Sequence, residues 1–523
     1  MTHDLTEAAA PAPSPASAAR PEDAYFSTER LKSGLGARAA RGGVVTLVAQ
    51  GLKFAIFTAA TVVLARLLTP QDYGLVGMVT ILVSFVGMFQ YLGLSTATVQ
   101  WPELTHRQVS TLFWVNLGLS GGIALGVAAC SPLVAWFYGE PRLVAVTLGL
   151  AGATMLRGLS IQHEALLVRQ MRFTTLAAND LVAMLVGLAS AVTVALRGWG
   201  YWALVVNQLA MTGSTAAGVW LACRWRPGLP GRGVGLRRML SFGGNLTGFN
   251  LVNFVARNVD NLLIGKVWGA YQLGIYARAY QMLLLPLDQV NAPFGAVAVP
   301  ALSRLGEEPE RYRAAFLKVV EKIAMLTMPG VAFMIGVADW LVRLMLGAQW
   351  EESARVFMLL GAAALVQPLA KAALWLYTTQ GRTREMFRWG WVGGGIAVAS
   401  ILAGLPWGAL GVATSYALTD LFLTTPLLFW LACRRGPVRA GDIYRAAAPS
   451  ACAAVCSLSA VYAARPWLVA LPLAARLAAA FAVAALASLA VLWVIPAGRR
   501  ALRQVVGTLL TLLRTRRDGA TAA

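Results

Sequence analysis

From residue 44 to residue 496 the chain is a succession of apolar runs, each about 20 residues long and separated by short polar turns. Such a run crosses the roughly 30 Å hydrocarbon core of a bilayer as a helix, the one single-segment structure that satisfies its own backbone there. The runs fall near 44–65, 75–97, 109–131, 143–163, 176–196, 202–223, 240–264, 272–300, 319–346, 353–378, 389–405, 408–433, 446–464 and 468–496, which predicts about 14 spans, with twelve the alternative count. Only 13% of residues are charged, where a soluble domain carries about a quarter. The chain therefore reads as an all-α integral membrane protein.

Charge fixes the expected orientation. With the N-terminus in the cytoplasm, the inside segments hold 30 Lys and Arg and the outside segments 5 (Arg66, Arg142, Arg197, Lys266 and Arg465). The excess of 44 basic over 23 acidic residues thus lies between the spans, and it points to membrane lipids as partners and not to nucleic acid. Both termini are expected in the cytoplasm. The loops are too short to fold as a catalytic or nucleotide-binding domain. No P-loop, nucleotide fingerprint, zinc spacing or nucleophile elbow occurs, so neither cofactor nor metal is expected. The five cysteines have no paired spacing and read as small packing residues.

An internal repeat organises the spans. Arg66 and Gly74 stand 200 residues before Lys266 and Gly274; Leu133-Val134 and Gly139 match Leu341-Val342 and Gly347; Gln170 and Arg172 match Gln380 and Arg382; Trp199-Gly200 matches Trp407-Gly408. Six helices preserve orientation, so the repeat is parallel: two pseudo-repeated six-helix lobes around a central cavity, plus two C-terminal helices. The expected divisions are a disordered cytoplasmic tail (1–40), an N-lobe (41–225), a basic linker (226–238), a C-lobe (239–433), the last two spans (434–496) and a basic amphipathic tail (497–523).

Ionisable side chains inside hydrocarbon cost about 2.5 to 3.5 kcal/mol on insertion scales and normally face a protein interior or watery cavity. Span seven carries Asn250, Asn253, Arg257, Asp260 and Asn261 at spacings that share one helical face. Span eight carries Arg278, Gln281, Asp288 and Asn291 along one side, with Pro286 and Pro293 nearby. Lys53 lies inside span one and Lys371 inside span ten. The expected cationic cavity is lined by Lys53, Arg257, Arg278, Lys371, Asn250, Asn253 and Gln281, and suits an anionic headgroup. Asp260, Asp288 and Asp420 are the candidates for ion coupling. The bland reading is that Arg257 and Asp260 staple one helix and the asparagines bond neighbouring helices. Asp339 with Arg343 and Glu351 with Arg355, near span ends, read as structural pairs, and Arg157 and Arg476 as snorkelling side chains.

The stretches Ala65-Arg66-Leu67-Leu68-Thr69-Pro70-Gln71-Asp72-Tyr73-Gly74, Thr111-Leu112-Phe113-Trp114-Val115-Asn116, Phe137-Tyr138-Gly139-Glu140-Pro141, Gly198-Trp199-Gly200-Tyr201-Trp202-Ala203-Leu204 and Asn258-Val259-Asp260-Asn261-Leu262-Leu263-Ile264-Gly265 resemble the polysaccharide transporter family. The match runs from about residue 38 to 430 and is similar to the branch of colanic acid and other exopolysaccharide exporters. The resemblance implies the fold of the multidrug/oligosaccharidyl-lipid/polysaccharide exporter superfamily. It also implies alternating access without ATP hydrolysis, and as cargo an undecaprenyl-pyrophosphate-linked oligosaccharide flipped across the bacterial inner membrane. A polysaccharide polymerase and chain-length machinery are the protein partners it suggests. Competing readings are a same-fold drug/cation antiporter, a peptidoglycan-precursor flippase, and a membrane glycosyltransferase or polymerase. The last would need positioned acid/base groups on a sizeable loop, and the chain is expected not to be an enzyme.

Overall fold

The computed structural model describes residues 35–91, 98–99, 104–231 and 236–504, and among the described residues the regular structure is helical throughout. The N-lobe is built from α1 (Leu35–Leu67), α2 (Pro70–Gly87), α3 (His106–Ala129), the short α4 (Ser131–Tyr138), α5 (Leu143–Arg169), α6 (Phe173–Leu196) and α7 (Trp202–Ala222). The C-lobe follows with α8 (Leu236–Arg304), α9 (Pro309–Gly336), the short α10 (Ala338–Met345), α11 (Glu351–Ala364), α12 (Gln367–Thr379), α13 (Thr383–Gly404), α14 (Gly408–Thr419) and α15 (Thr425–Cys433). Two further helices, α16 (Ala440–Leu468) and α17 (Leu473–Val494), complete the order. The tail expected over residues 1–34 and the amphipathic tail from 505 onward lie outside the described residues. Helix α1 begins within the segment expected to be tail, where Ala37, Ala39 and Ala40 favour helix.

Local chemistry sets the helix starts. At α2 the Thr69 side chain accepts from the Asp72 amide while the Asp72 carboxylate accepts from the Thr69 amide at 2.9 Å, a reciprocal cap followed by Pro70 at the first helical position. Thr105 and Gln108 make the same arrangement at α3. Helix α4 ends on Gly139, whose left-handed φ of 71° accommodates the turn without a Cβ penalty.

Among the described residues, eleven helical segments are long and apolar enough to cross a membrane, against the fourteen crossings expected. Two of the eleven contain a chain reversal. In α8, Gly269 (φ 81°) breaks the helix, and Tyr276 beyond the break donates to Asp260 before it at 3.0 Å, so the two arms run antiparallel. Between α13 and α14 the Ser415 hydroxyl donates to the Ser400 carbonyl at 2.6 Å, and a Cβ on Gly404 would stand 2.3 Å from the Gly411 carbonyl oxygen. Helix α7, interrupted by Asn207, Gln208 and a Thr-Gly-Ser-Thr stretch, is not among the eleven. The single span expected over 319–346 is two helices: α9 stops at Gly336 and α10 is a separate eight-residue helix.

One end of the molecule carries the turns poor in basic residues, around 66–70, 139–142, 197–201, 266–270 and 346–350; the other carries the basic turns. At the basic-poor end the lobes share a core, from Leu75 and Val79 on α2, Leu150 on α5 and Val205 on α7 to Ile264, Leu273 and Phe357 of the C-lobe. A second shared cluster joins Leu64, Leu68 and Tyr73 to Val342, Leu346 and Trp350. Toward the basic end the cores separate into one confined to the N-lobe, with Phe113, Leu166 and Trp225, and one confined to residues 298–454. There α2 still follows the first arm of α8, Phe85 meeting Phe254 at 5.9 Å between ring centroids.

The tightest inter-lobe approach is a helix crossing made by two glycines. A Cβ on Gly74 would stand 1.7 Å from the Ala270 carbonyl oxygen, and one on Gly274 would stand 1.9 Å from that of Pro70. Only a residue without a side chain permits backbones this close. Cys223 and Cys433 are buried as expected, but Cys452 and Cys456 are exposed on α16, so packing does not describe them. Asp339 bonds to Arg465 of α16 instead of Arg343, because α10 lies against that helix and stacks Trp340 beneath the Arg465 guanidinium at 4.7 Å. Arg157 pairs with Glu164 at 3.1 Å, and Arg476 donates to the Val469 and Leu471 carbonyls.

Candidate functional site

Between the lobes lies a cavity of about 340 Å³, walled by α2 on one side and both arms of α8 on the other. Its polar lining includes Tyr73, Thr80 and Ser84 from α2 and Asn258, Asn261, Arg278 and Gln281 from α8. The reversal at Gly269 brings Asn258 and Asn261 of the first arm and Arg278 and Gln281 of the second to one space, whereas Asp260 and Asp288, expected on the same faces, do not line it.

Arg278 is the centre of this wall. Its guanidinium lies 3.8 Å from the centroid of the Tyr73 ring and donates to Gln281 Oε1 at 2.7 Å. Among the described residues it has no carboxylate partner. A half-buried guanidinium held by a π face and an amide keeps its full charge for a ligand, and its planar fork matches phosphate oxygens.

The same two side chains line a second cavity. A groove of about 290 Å³ runs between α1 and α8, bounded by Phe54, Phe57, Met282, Leu285, Phe333 and Leu346, and it includes Arg278 and Gln281. A polar cavity and an apolar groove thus meet at one cation.

Two of the other expected cations, Lys53 and Lys371, are occupied. Lys53 Nζ donates to Asp180 Oδ2 of α6 at 2.5 Å, and Lys371 Nζ to Asp288 Oδ1 at 2.5 Å. Neither lysine lines the inter-lobe cavity or the groove. The side chains of Asn250, Asn253 and Arg257 lie outside the described residues.

A third space of about 320 Å³ sits within the C-lobe and brings together two of the three carboxylates named from sequence. Asp260 and Asp420 both line it and are each only 8% exposed. Asp260 accepts from the Asn261 amide at 2.8 Å and from the buried Tyr276 hydroxyl. Asp420 opens a π-helical turn, Asp420–Thr424, a distortion that recurs at functional positions, and Gln367 and Thr425 approach its carboxylate. Asp288 stands elsewhere, with Lys371. Tyr73, Asp180 and Tyr276 escaped the sequence reading: an aromatic residue or a lone aspartate in an apolar run has no partner until the chain folds.

Two helical lobes that share a core at one end and separate around a cavity toward the other have the fold of the multidrug/oligosaccharidyl-lipid/polysaccharide exporters. The structure superimposes on the lipid II flippase MurJ in its inward closed conformation with a TM-score of 0.66, at 10% identity over 87% of this chain and 98% of that one. It also matches an inward-facing multidrug resistance MATE family transporter of the MOP superfamily, at 0.55 and 13% identity over 75% of this chain and 95% of that one. At these identities the likeness speaks for the fold. The chain belongs to the family described as polysaccharide biosynthesis protein, whose model matches residues 63–355. It is 25% identical over 300 residues to the teichuronic acid biosynthesis protein TuaB of Bacillus subtilis (strain 168), covering 57% of this chain and 62% of that protein. It is 23% identical over 390 residues to the lipopolysaccharide biosynthesis protein WzxC of Escherichia coli (strain K12), covering 73% and 77%. The succinoglycan biosynthesis transport protein ExoT of Rhizobium meliloti (strain 1021) is 25% identical, over 59% of this chain and 62% of that one. The chain thus spans about three fifths of the length of the first of these relatives.

Proposed function

We propose that this protein is a flippase that moves undecaprenyl-pyrophosphate-linked oligosaccharide repeat units across the bacterial inner membrane for polysaccharide biosynthesis, by alternating access of its two lobes. The observation that carries this reading is the position of Arg278 where the polar inter-lobe cavity meets the apolar groove. A lipid-linked sugar has the same order: a polar glycan, an anionic pyrophosphate, an apolar chain. The guanidinium takes the phosphate, the cavity the proximal sugars and the groove the first isoprene units. The names of the polysaccharide biosynthesis relatives support the cargo class.

The basic end faces the cytoplasm in this reading, with both termini, since positive turns stay on that side. The Asp260 and Asp420 space is the place for a coupling proton or monovalent cation. Binding there sits in the C-lobe, behind Tyr276 and the Gly269 reversal, where it can bias how the arms of α8 present Arg278. A polymerase and chain-length machinery would receive the flipped unit.

The test is deletion in the native host with rescue by variants confirmed to insert normally. Loss should stop export and leave lipid-linked repeat units on the inner leaflet. Arg278→Ala should fail to rescue, with flux down about tenfold or more for the loss of one charge-assisted contact. Unchanged export and lipid pools, in a host without a second copy, would move the same-fold drug/cation antiporter ahead.

A further inference from the structure

The basic-poor end is closed by more than apolar packing. Arg66, in the last turn of α1, donates to the Leu344 carbonyl at 2.8 Å. Leu344 is the penultimate residue of α10, so its carbonyl is among those left unpaired at a helix C-terminus, where partial negative charge gathers. Lys266 donates to the Phe137 carbonyl and stands 4.9 Å over the Phe137 ring. Phe137 is the penultimate residue of α4. Both contacts cross from one lobe to the other. Arg66 and Lys266 are repeat equivalents 200 residues apart, α4 and α10 are both eight residues long, and each is followed within two residues by a glycine of positive φ, Gly139 or Gly347.

We infer that these two contacts form a paired latch: each lobe holds the other shut by a cation seated on the C-terminus of its short helix, and both must release for the basic-poor side to open. The Gly74 and Gly274 crossing sets how near the lobes come, but it brings no charged side chain to the contact. The cation contacts supply direction, since a helix end offers its carbonyls at one place only. Both cations are exposed, so the latch is weak enough to break in each cycle and is open to screening by salt. The inference rests on the transporter reading only for the alternation of access. No glycan enters its test, so a failed cargo assignment leaves it standing.

The experiment places a single cysteine at Thr80, in the inter-lobe cavity, in a chain whose five native cysteines are replaced. Labelling by a membrane-impermeant maleimide is followed in right-side-out vesicles. Arg66→Gln and Lys266→Gln should each speed labelling roughly two- to fivefold, the range for one charge at a helix end, and the double variant by about their product. Arg66→Lys and Lys266→Arg should stay near the unaltered rate. A double variant that inserts and melts normally yet labels at the unaltered rate overturns the latch. Should the double variant not insert, the unaltered latch carries the test: raising salt from about 0.05 M to about 0.5 M screens exposed contacts and must speed labelling. A salt-independent rate overturns the proposal.

Discussion

Arg278 sits against Tyr73, 205 positions away in sequence and in the other lobe, so the setting of its guanidinium depends on an aromatic ring supplied from across the cavity. A cation–π contact of this kind contributes about 0.5 to 2 kcal/mol. Tyr73→Leu should therefore weaken cargo affinity severalfold, while Tyr73→Phe keeps the ring and stays near wild type in a flux assay; equal loss in both would remove the ring from the account. Tyr276→Phe deletes one buried hydrogen bond to Asp260 and should cost roughly 0.6 to 1.5 kcal/mol, read as a small drop in detergent melting temperature. Arg278 and Gln281 are legible in the sequence because three residues apart on a helix is a local relation. Tyr73, and the Asp180 that occupies Lys53, are not legible there, because those partnerships are made by the packing of one helix on another. A charge in an apolar run announces that it has a partner without saying which.

Helices meet at the basic-poor end through absences as much as through side chains. Gly74→Ala should force α2 from the second arm of α8 by pressing a methyl into the Ala270 carbonyl, costing up to about 3 kcal/mol or opening that end. Gly77→Ala, whose Cβ would meet Leu273 at an ordinary 3.6 Å, should be silent in the same melting and labelling measurements. The coincidence of Gly74 with Gly274 was visible as part of a repeat; what it was for was not, since hydropathy carries no information on how closely two backbones pass. The division of 319–346 into α9 and α10 was hidden for a similar reason. The run is apolar up to Val337 and resumes at Trp340, and the one charge between them, Asp339, does not by itself mark a helix end.

At the scale of the molecule, the spacing of basic residues predicts that a cysteine at Arg197, in the exposed turn after α6, is labelled from outside intact cells and one at Arg384, beside a basic turn, is not. The reverse pattern would invert the topology and with it the direction of transport. The general plan was legible because lipid is a severe solvent: it permits few architectures, and charge asymmetry orients them. What could not be read was which end is closed, since that is decided by whether Leu75 and Leu273 or residues at the basic end share a core.

The glycine crossing holds a further meaning. Gly74 touches Ala270 while Gly274 touches Pro70, and each of the four has its repeat counterpart among the other three. Residue i of one unit meets residue j of the other, and j of the first meets i of the second, which is the signature of an isologous two-fold interface. One polypeptide therefore contains, joined by a linker, the contact surface of a symmetric homodimer, and the six-helix unit alone would present a face complementary to itself.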